Sequence, residues 1–201
     1  KRKYLPKLAS GEWLGAFGLT EPNAGTDASA QQTTAVLDGD EWVLNGNKIF
    51  ITNAGHAHVY VVFAMTDKSL KTKGITAFIV EAGTPGFEIG KKELKLGIRG
   101  SATAELIFTD CRIPKENLLG KIGGGFAIAM KTLDGGRIGI ASQALGIAQG
   151  AIDETVKYTM ERKQFGKSLS AFQNTQFQMA DLKTKVEASR LLVRSAAFKK
   201  D

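Results

Sequence analysis

Between residues 13 and 113 apolar positions fall into short runs rich in β-branched and aromatic residues, broken by glycine, asparagine and aspartate. Ala35-Val36-Leu37 and Glu41-Trp42-Val43-Leu44 flank Asp38-Gly39-Asp40, and Asn45-Gly46 predicts a second hairpin turn before Lys48-Ile49-Phe50-Ile51. Residues 59–65 and 75–80 read as strands parted by a lysine-rich polar loop, and residues 104–108 as a further strand. Short strands with frequent turn signals predict an antiparallel β barrel or sandwich.

The spacing changes at Gly123-Gly124-Gly125. Phe126, Met130, Leu133, Arg137, Ile140, Ala144, Ile147 and Ala151 follow a helical period that runs on to Tyr158, with Gly166 as the stop. The glycines and alanines in this run lower its helix propensity, so they imply close approach of a neighbouring helix or ligand. A second helix is expected from Ser170, where Ser-Ala-Phe-Gln fits a capping box. Its stripe of Met179, Leu182, Val186, Ser189, Val193 and Ala196 needs a partner, because two helices do not make a stable bundle. The expected fold class is therefore β + α: an antiparallel barrel or sandwich, then two long antiparallel helices of an incomplete bundle. The boundaries are a connection over 1–12, a β domain over 13–121 and the helices over 122–201.

Composition narrows the function without naming it. The chain has 201 residues, 43% of them hydrophobic, which suffices for one sizeable core. Cys111 is its single cysteine, so no internal disulfide forms, and no apolar run is long enough for a membrane span. The net charge of +7 is spread among acidic residues rather than gathered in a block, so it suits an anionic small ligand as well as nucleic acid. The chain opens at Lys1 and closes at Asp201 within a helical pattern, and is read as a piece of a longer intracellular protein. His56 and His58 lack the cysteine or carboxylate neighbours of a metal site and are read as loop residues; no metal is expected.

The chemistry concentrates in Ala-Phe-Gly-Leu-Thr-Glu-Pro-Asn-Ala-Gly-Thr-Asp, residues 16–27, a strand-like run breaking into a turn. Pro22 fixes one φ angle, Gly25 is expected to allow a conformation closed to other residues, and Thr20 and Thr26 add hydroxyls, so successive N–H groups can face one anionic or carbonyl ligand. The same residues also describe an ordinary surface turn. Asp134 and Arg137 sit at i,i+3 spacing and read equally as a surface ion pair.

GLTEPNAGTDASA, FITNAG at 50–55, GIRGSATAEL at 97–106, RIPKENLLG at 112–120, TLDGGRIGIASQALGIAQ at 132–149 and ERKQFGKSL at 161–169 resemble, in order, the acyl-CoA dehydrogenases, in wording nearest the short-chain, butyryl-CoA type. The resemblance spans nearly the whole chain. It implies FAD as cofactor, with Phe17, Leu19, Thr20, Gly25, Thr26, Phe50, Ile51 and Thr52 along the flavin and its pyrophosphate. Many members carry tryptophan where this chain has Phe50, a change that keeps ring packing and loses the indole N–H. Residues matching Arg162, Phe165 and Gln173 reach the flavin dinucleotide of a neighbouring subunit in the family. Thr26, Asp134, Gly135, Gly136 and Arg137 match positions on the CoA substrate, while Gly123-Gly124-Gly125 matches a hinge and is assigned no ligand.

The implied reaction is oxidation of a short-chain acyl-CoA to the trans-2-enoyl-CoA, by α-proton abstraction and β-hydride transfer to flavin. Electrons would pass to an electron-transferring flavoprotein. The family's base is a glutamate in a Tyr-Glu-Gly-Thr type motif that this sequence lacks, so no catalytic residue is assigned and the chain alone is expected to be inactive. Glu21, beside Pro22, is read as a structural acceptor rather than a base. A homo-oligomer, a dimer of dimers, is implied, located in a bacterial cytoplasm or a mitochondrial matrix. The rival readings are an acyl-CoA oxidase and a nucleic-acid-associated flavoprotein of the same superfamily.

Overall fold

In the computed structural model, which describes residues 1–200, the stretch read as a connection holds a short helix, α1 (Leu5–Ser10), with proline in its first turn and Gly11 as its left-handed C-cap. Strand β1 (Gly15–Gly18) follows and leads into the turn that ends at β2 (Thr34–Asp38). The first expected hairpin forms, β2 pairing antiparallel with β3 (Glu41–Thr52) from Thr34↔Asn45 to Asp38↔Glu41. The second does not. Strand β3 runs unbroken through Asn45-Gly46, opposite a bulge in β7 (Thr103–Pro114) where Thr109 and Asp110 face Asn45 alone.

The chemistry of that bulge explains the misreading. Gly46 takes φ 137°, and a Cβ there would lie 2.7 Å from the Thr33 Cα. The Asn45 side chain donates to Asp110 Oδ1 at 3.1 Å and accepts from the Asp110 amide at 2.8 Å. Asn45 thus ties down the bulged Asp110, itself at φ 45°, and Gly46 makes room for the close approach of Thr33, so a strand crossing a bulge here uses the residue pair of a tight turn.

Strands β4 (Val59–Met65) and β5 (Ile75–Glu81) pair along their whole length, and the loop between them is a 3-10 turn opened by Asp67, whose side chain accepts from the Ser69 amide. Strand β6 (Phe87–Lys92) pairs with β7, and the two-residue β8 (Leu118–Leu119) with β5; neither was expected. The sheet order is β6-β7-β3-β2-β4-β5-β8, with β1 added on β4. Antiparallel pairs dominate, but β1 lies parallel to β4 and β2 meets β4 in one parallel bridge, Thr34↔Met65. The expectation of a purely antiparallel sheet is corrected there, since β1 and β4 are far apart in sequence and the long connection permits parallel pairing. Trp42, Leu44, Ile51, Tyr60, Val62, Phe78, Val80, Leu106, Phe108 and Ile113 share one core.

Cys111 lies in that core on β7, fully buried, and burial pushes its thiol up to about 11. We expect it to resist thiol reagents at about pH 8 in the folded protein and to react on unfolding. Rapid stoichiometric labelling of the native state would contradict this placement.

The described residues form two compact units, Lys1–Met130 and a second that begins at Lys131. Helix α2 (Gly125–Glu161) starts in the first, where the Gly125 backbone packs on that of Thr76 and Ala77, and continues into the second. There it faces α3 (Gln173–Lys200) in antiparallel sense, Thr155 and Ile152 near Leu182 and Val186, and Ala141 and Ala144 near Leu192 and Val193. Val186 is buried while Leu182 stays 42% exposed, so the apolar stripe of α3 remains mostly open.

Two expectations at the joint are corrected. Helix α2 ends at Glu161, and Gly166 belongs to the turn of a small hairpin, β9 (Lys163–Gln164) with β10 (Lys167–Ser168). Phe165 and Gly166 take φ 53° and 77°, the signs of a type I′ turn. Helix α3 begins at Gln173 rather than Ser170, because residues 169–171 form a 3-10 turn and the Ser170 hydroxyl pairs with that of Ser168 at 2.9 Å. No helix among the described residues is long and apolar enough to cross a membrane.

Candidate functional site

In the first unit the turn after β1 is built from the inside out. Ala24 and Ala28 are buried, and Glu21 and Ala24 exchange backbone bonds of 3.1 Å around Pro22-Asn23. The Asp27 carboxylate accepts from the Ser29 hydroxyl and, at 3.0 Å, from its amide, bonds that hold it below the usual carboxylate range. Gln31 donates to the Ala28 carbonyl at 3.0 Å. These local bonds leave Gly25 and Thr26 exposed on the rim. Among the described residues the Gly25 and Thr26 amides and the Thr20, Thr26 and Thr52 hydroxyls make no hydrogen bond.

The role expected of Gly25 is corrected in one respect. Its φ lies outside the left-handed region, and a Cβ at that position would meet nothing within 4 Å. The glycine keeps the rim clear rather than allowing a forbidden backbone conformation.

Strand β3 supplies the second half of the site. A bulge between Lys48 and Ile51 places two β3 residues, Ile49 and Phe50, opposite one residue of β7, and Phe50 takes φ 58°, rare for a bulky residue. That conformation leaves its ring 59% exposed, with Thr52 exposed on the same strand and Ile51 buried in the core. Asn53, also at positive φ, donates to the Gly15 carbonyl at 3.0 Å. Leu19 and Ile51 turn their side chains inward, so what they offer a ligand is backbone, while Phe17 is half-buried and packs edge-on against Phe63 at 5.0 Å.

Turn and strand are joined beneath the surface. The Ile49 amide donates to the Thr20 carbonyl at 2.9 Å. One residue earlier the fully buried Lys48 ammonium donates to Leu19 O at 3.2 Å, Glu21 Oε1 at 2.7 Å and Gln31 Oε1 at 2.9 Å. Glu21 also accepts from the Gln32 and Thr33 amides, at 2.6 and 3.0 Å, and so serves as the structural acceptor the sequence suggested. Burial raises the Glu21 pKa, but the Lys48 charge and these amides outweigh it and hold the carboxyl below its ordinary value. Burial lowers Lys48 to about 8 despite Glu21. Sequence reasoning missed Lys48 and Gln31; the available signal was a lysine between Leu44 and Ile51 in a buried strand, with one acid in the neighbouring turn.

In the second unit Asp134 and Arg137 form the surface pair that their spacing allows, 3.0 Å apart with side chains 65% and 71% exposed. Gly136 faces open space beside them. Arg162 follows α2 directly; its amide donates to the Tyr158 carbonyl and its carbonyl accepts from Leu169, while its guanidinium makes no hydrogen bond or ion pair among the described residues. Phe165 projects from the hairpin tip 92% exposed, edge-on to Phe172 at 6.4 Å, and Gln173 is exposed at the start of α3. Among the loop histidines, His58 stacks on Trp13 at 5.7 Å and its Nδ1 accepts from the Leu14 amide.

The arrangement in the first unit suits a planar, polar-edged ligand: an exposed ring for its face, and free hydroxyls and amides for its heteroatoms. The family model described as acyl-CoA dehydrogenase, middle domain, matches residues 16–111, and that described as acyl-CoA dehydrogenase, C-terminal domain, matches 123–201. The short-chain specific acyl-CoA dehydrogenase of Clostridium acetobutylicum is 62% identical over 200 residues, which are 100% of this chain and 53% of that protein. The solved structure of butyryl-CoA dehydrogenase from Megasphaera elsdenii superposes with TM-score 0.94 at 60% identity, over 98% of this chain and 52% of that one. A chain from the structural work "Electron transferring flavoprotein of Acidaminococcus fermentans: Towards a mechanism of flavin-based electron bifurcation" superposes with TM-score 0.95 at 65% identity, over 99% and 53%. The chain thus spans about half the length of the relatives it matches.

Proposed function

Because this chain belongs to the acyl-CoA dehydrogenase family, we propose that the protein carrying it is an FAD-dependent oxidoreductase that converts a short-chain acyl-CoA to the trans-2-enoyl-CoA. The observation that carries the reading is the exposed Phe50 ring, held at positive φ on a strand that also exposes Thr52 and is bonded through the Ile49 amide to Thr20, at the start of the turn that exposes Thr26. Strain of this kind persists where surrounding structure holds it and clusters at ligand sites.

The residues present fit the cofactor. Phe50 offers a ring face, Thr20, Gly25, Thr26 and Thr52 offer donors and a clear rim, and Phe17, Leu19 and Ile51 form the backing. When bound, FAD supplies the acceptor for a hydride leaving the acyl chain. This chain's part is to bind and orient: the turn and β3 hold the flavin, while Asp134, Gly135, Gly136, Arg137 and Thr26 receive the CoA portion of the substrate. Arg162, Phe165 and Gln173, all exposed, reach the cofactor of a neighbouring copy. We assign no base within these residues, since every bond of buried Glu21 is taken by Lys48 and two amides.

The domain reading follows: a connection over 1–12, the middle β domain over 13–121 and the first C-terminal helices over 122–201. A barrel- or sandwich-like closure of the sheet is supported by the single bridge between β2 and β4, with residues from both sides of it in one core. An electron-transferring flavoprotein as redox partner, a dimer of dimers, and a cytoplasmic or mitochondrial setting complete the reading. The first of these is supported by the Acidaminococcus fermentans work to which the chain is similar.

The test is anaerobic reduction of the full-length protein's flavin by butyryl-CoA. Bleaching of the long-wavelength band supports the reading; an unchanged spectrum overturns it. Peroxide formation in air would mark an oxidase, and salt-sensitive duplex binding a nucleic-acid-associated flavoprotein. Site assignments are checked by a pair of variants in the full-length protein. Arg162→Ala is expected to weaken FAD retention more than Asp134→Ala, and Asp134→Ala to act chiefly on substrate KM. The reverse order would show the assignments exchanged.

A further inference from the structure

Glu21 and Lys48 are the buried charged side chains among the described residues, 4% and 0% exposed. An apolar pair of similar volume is often as stable as a buried ion pair or more so, so stability alone does not account for an ammonium here. Its position does. The three acceptors of Lys48 come from both ends of the turn: Leu19 and Glu21 before Thr26, and Gln31 after it. Glu21 closes the base of the same turn through the Gln32 and Thr33 amides. Lys48 itself sits two residues before Phe50 and four before Thr52, and the next residue, Ile49, bonds the Thr20 carbonyl. An ammonium directs each donor to one acceptor, a constraint that apolar packing does not impose.

We propose that Lys48 is a positioning residue, which clamps the turn bearing Thr20 and Thr26 in register with the strand bearing Phe50 and Thr52, so that both halves of the flavin-binding face are set before the cofactor arrives. The proposal rests on the flavin reading above. It predicts that cofactor affinity, not merely folding, depends on the charge at Lys48. Among the described residues Glu21 is the only charged group bonded to that ammonium; on the neighbouring strand β7, Glu105 binds Asn47 instead, and Leu106 lies opposite Lys48.

The experiment uses the full-length protein, stripped of FAD and titrated with FAD under conditions where circular dichroism shows each variant folded. Hydrogen exchange is measured with and without the cofactor. Lys48→Met is expected to raise the FAD Kd by about tenfold or more and to speed exchange of the Gln32 and Thr33 amides in the FAD-free protein. In the parent protein the Kd should climb as pH rises past about 8, where Lys48 loses its proton, and in the variant that climb should vanish. If Lys48→Met does not fold, Glu21→Gln with Lys48→Gln, which keeps polar groups and buries no charge, is read for the same three effects. FAD that protects neither 17–26 nor 50–52 from exchange overturns the flavin reading itself. FAD that protects both, with a Kd within about twofold of the parent's and a flat pH profile, overturns the clamp alone.

Discussion

Glu21→Ala is expected to remove about 3–5 kcal/mol of stability, the usual cost of leaving half of a buried ion pair behind. The substitution strands the Lys48 ammonium with two neutral acceptors and leaves the Gln32 and Thr33 amides without the carboxylate that takes them. The check is a denaturant melt of parent and variant, and a loss below about 1 kcal/mol would show that water or a shifted Gln31 replaces the carboxylate. Replacing both charges together, Glu21→Leu with Lys48→Met, should cost less than either single change.

The pair also sets a pH dependence of known sign. Glu21 has a depressed folded value, so its contribution is present above its ordinary 4.5 and is lost as pH falls through that depressed value. Lys48 works the other way: its folded value is about 8 against an ordinary 10.5, so the unfolded chain holds the proton more tightly and stability rises across that window. Stability and FAD affinity should therefore diverge above about pH 8, which separates a clamp from a simple strut.

The second large effect is Gly46→Val, expected to cost about 3–5 kcal/mol. A β-branched residue must adopt φ 137° there, and its Cβ would lie 2.7 Å from the Thr33 Cα, where only backbone can yield. Thr33 is not a neutral neighbour, because its amide donates to Glu21. Pushing it away strains the base of the turn as well as the bulge. Gly25→Ala is the control: open space and an ordinary φ predict a change within about 0.5 kcal/mol. A mild Gly46→Val, measured in the same melts, would mean that β3 can shift its register without loss.

What the sequence disclosed, and what it hid, follow from how local each signal is. The hairpin at Asp38-Gly39-Asp40, strand β4 and the long glycine-rich helix could be read because period and turn chemistry are written in consecutive residues. Asn45-Gly46 deceived because a strand crossing opposite a bulge and a hairpin turn use the same residue pair, and only the partner strand decides between them. Strand β6 escaped because its exposed pattern, with Lys91 and Lys92 at its end, resembles a loop. At the site, Thr20, Thr26, Phe50 and Thr52 lie in contiguous signatures. Lys48 and Gln31 do not announce themselves, since their meaning depends on a carboxylate 27 residues from one of them and on the ammonium 17 residues from the other.

The two ends of the sheet have a bearing on how this protein behaves when crowded. An unpaired strand edge is a template on which a second chain can add by backbone bonding, the first step of fibril growth. Here one end, β6, finishes in Lys91-Lys92, and the other, β8, is two residues long. Charge repels an incoming strand at the first and the second offers only two residues, so both ends of the strand order are poor templates for an added chain.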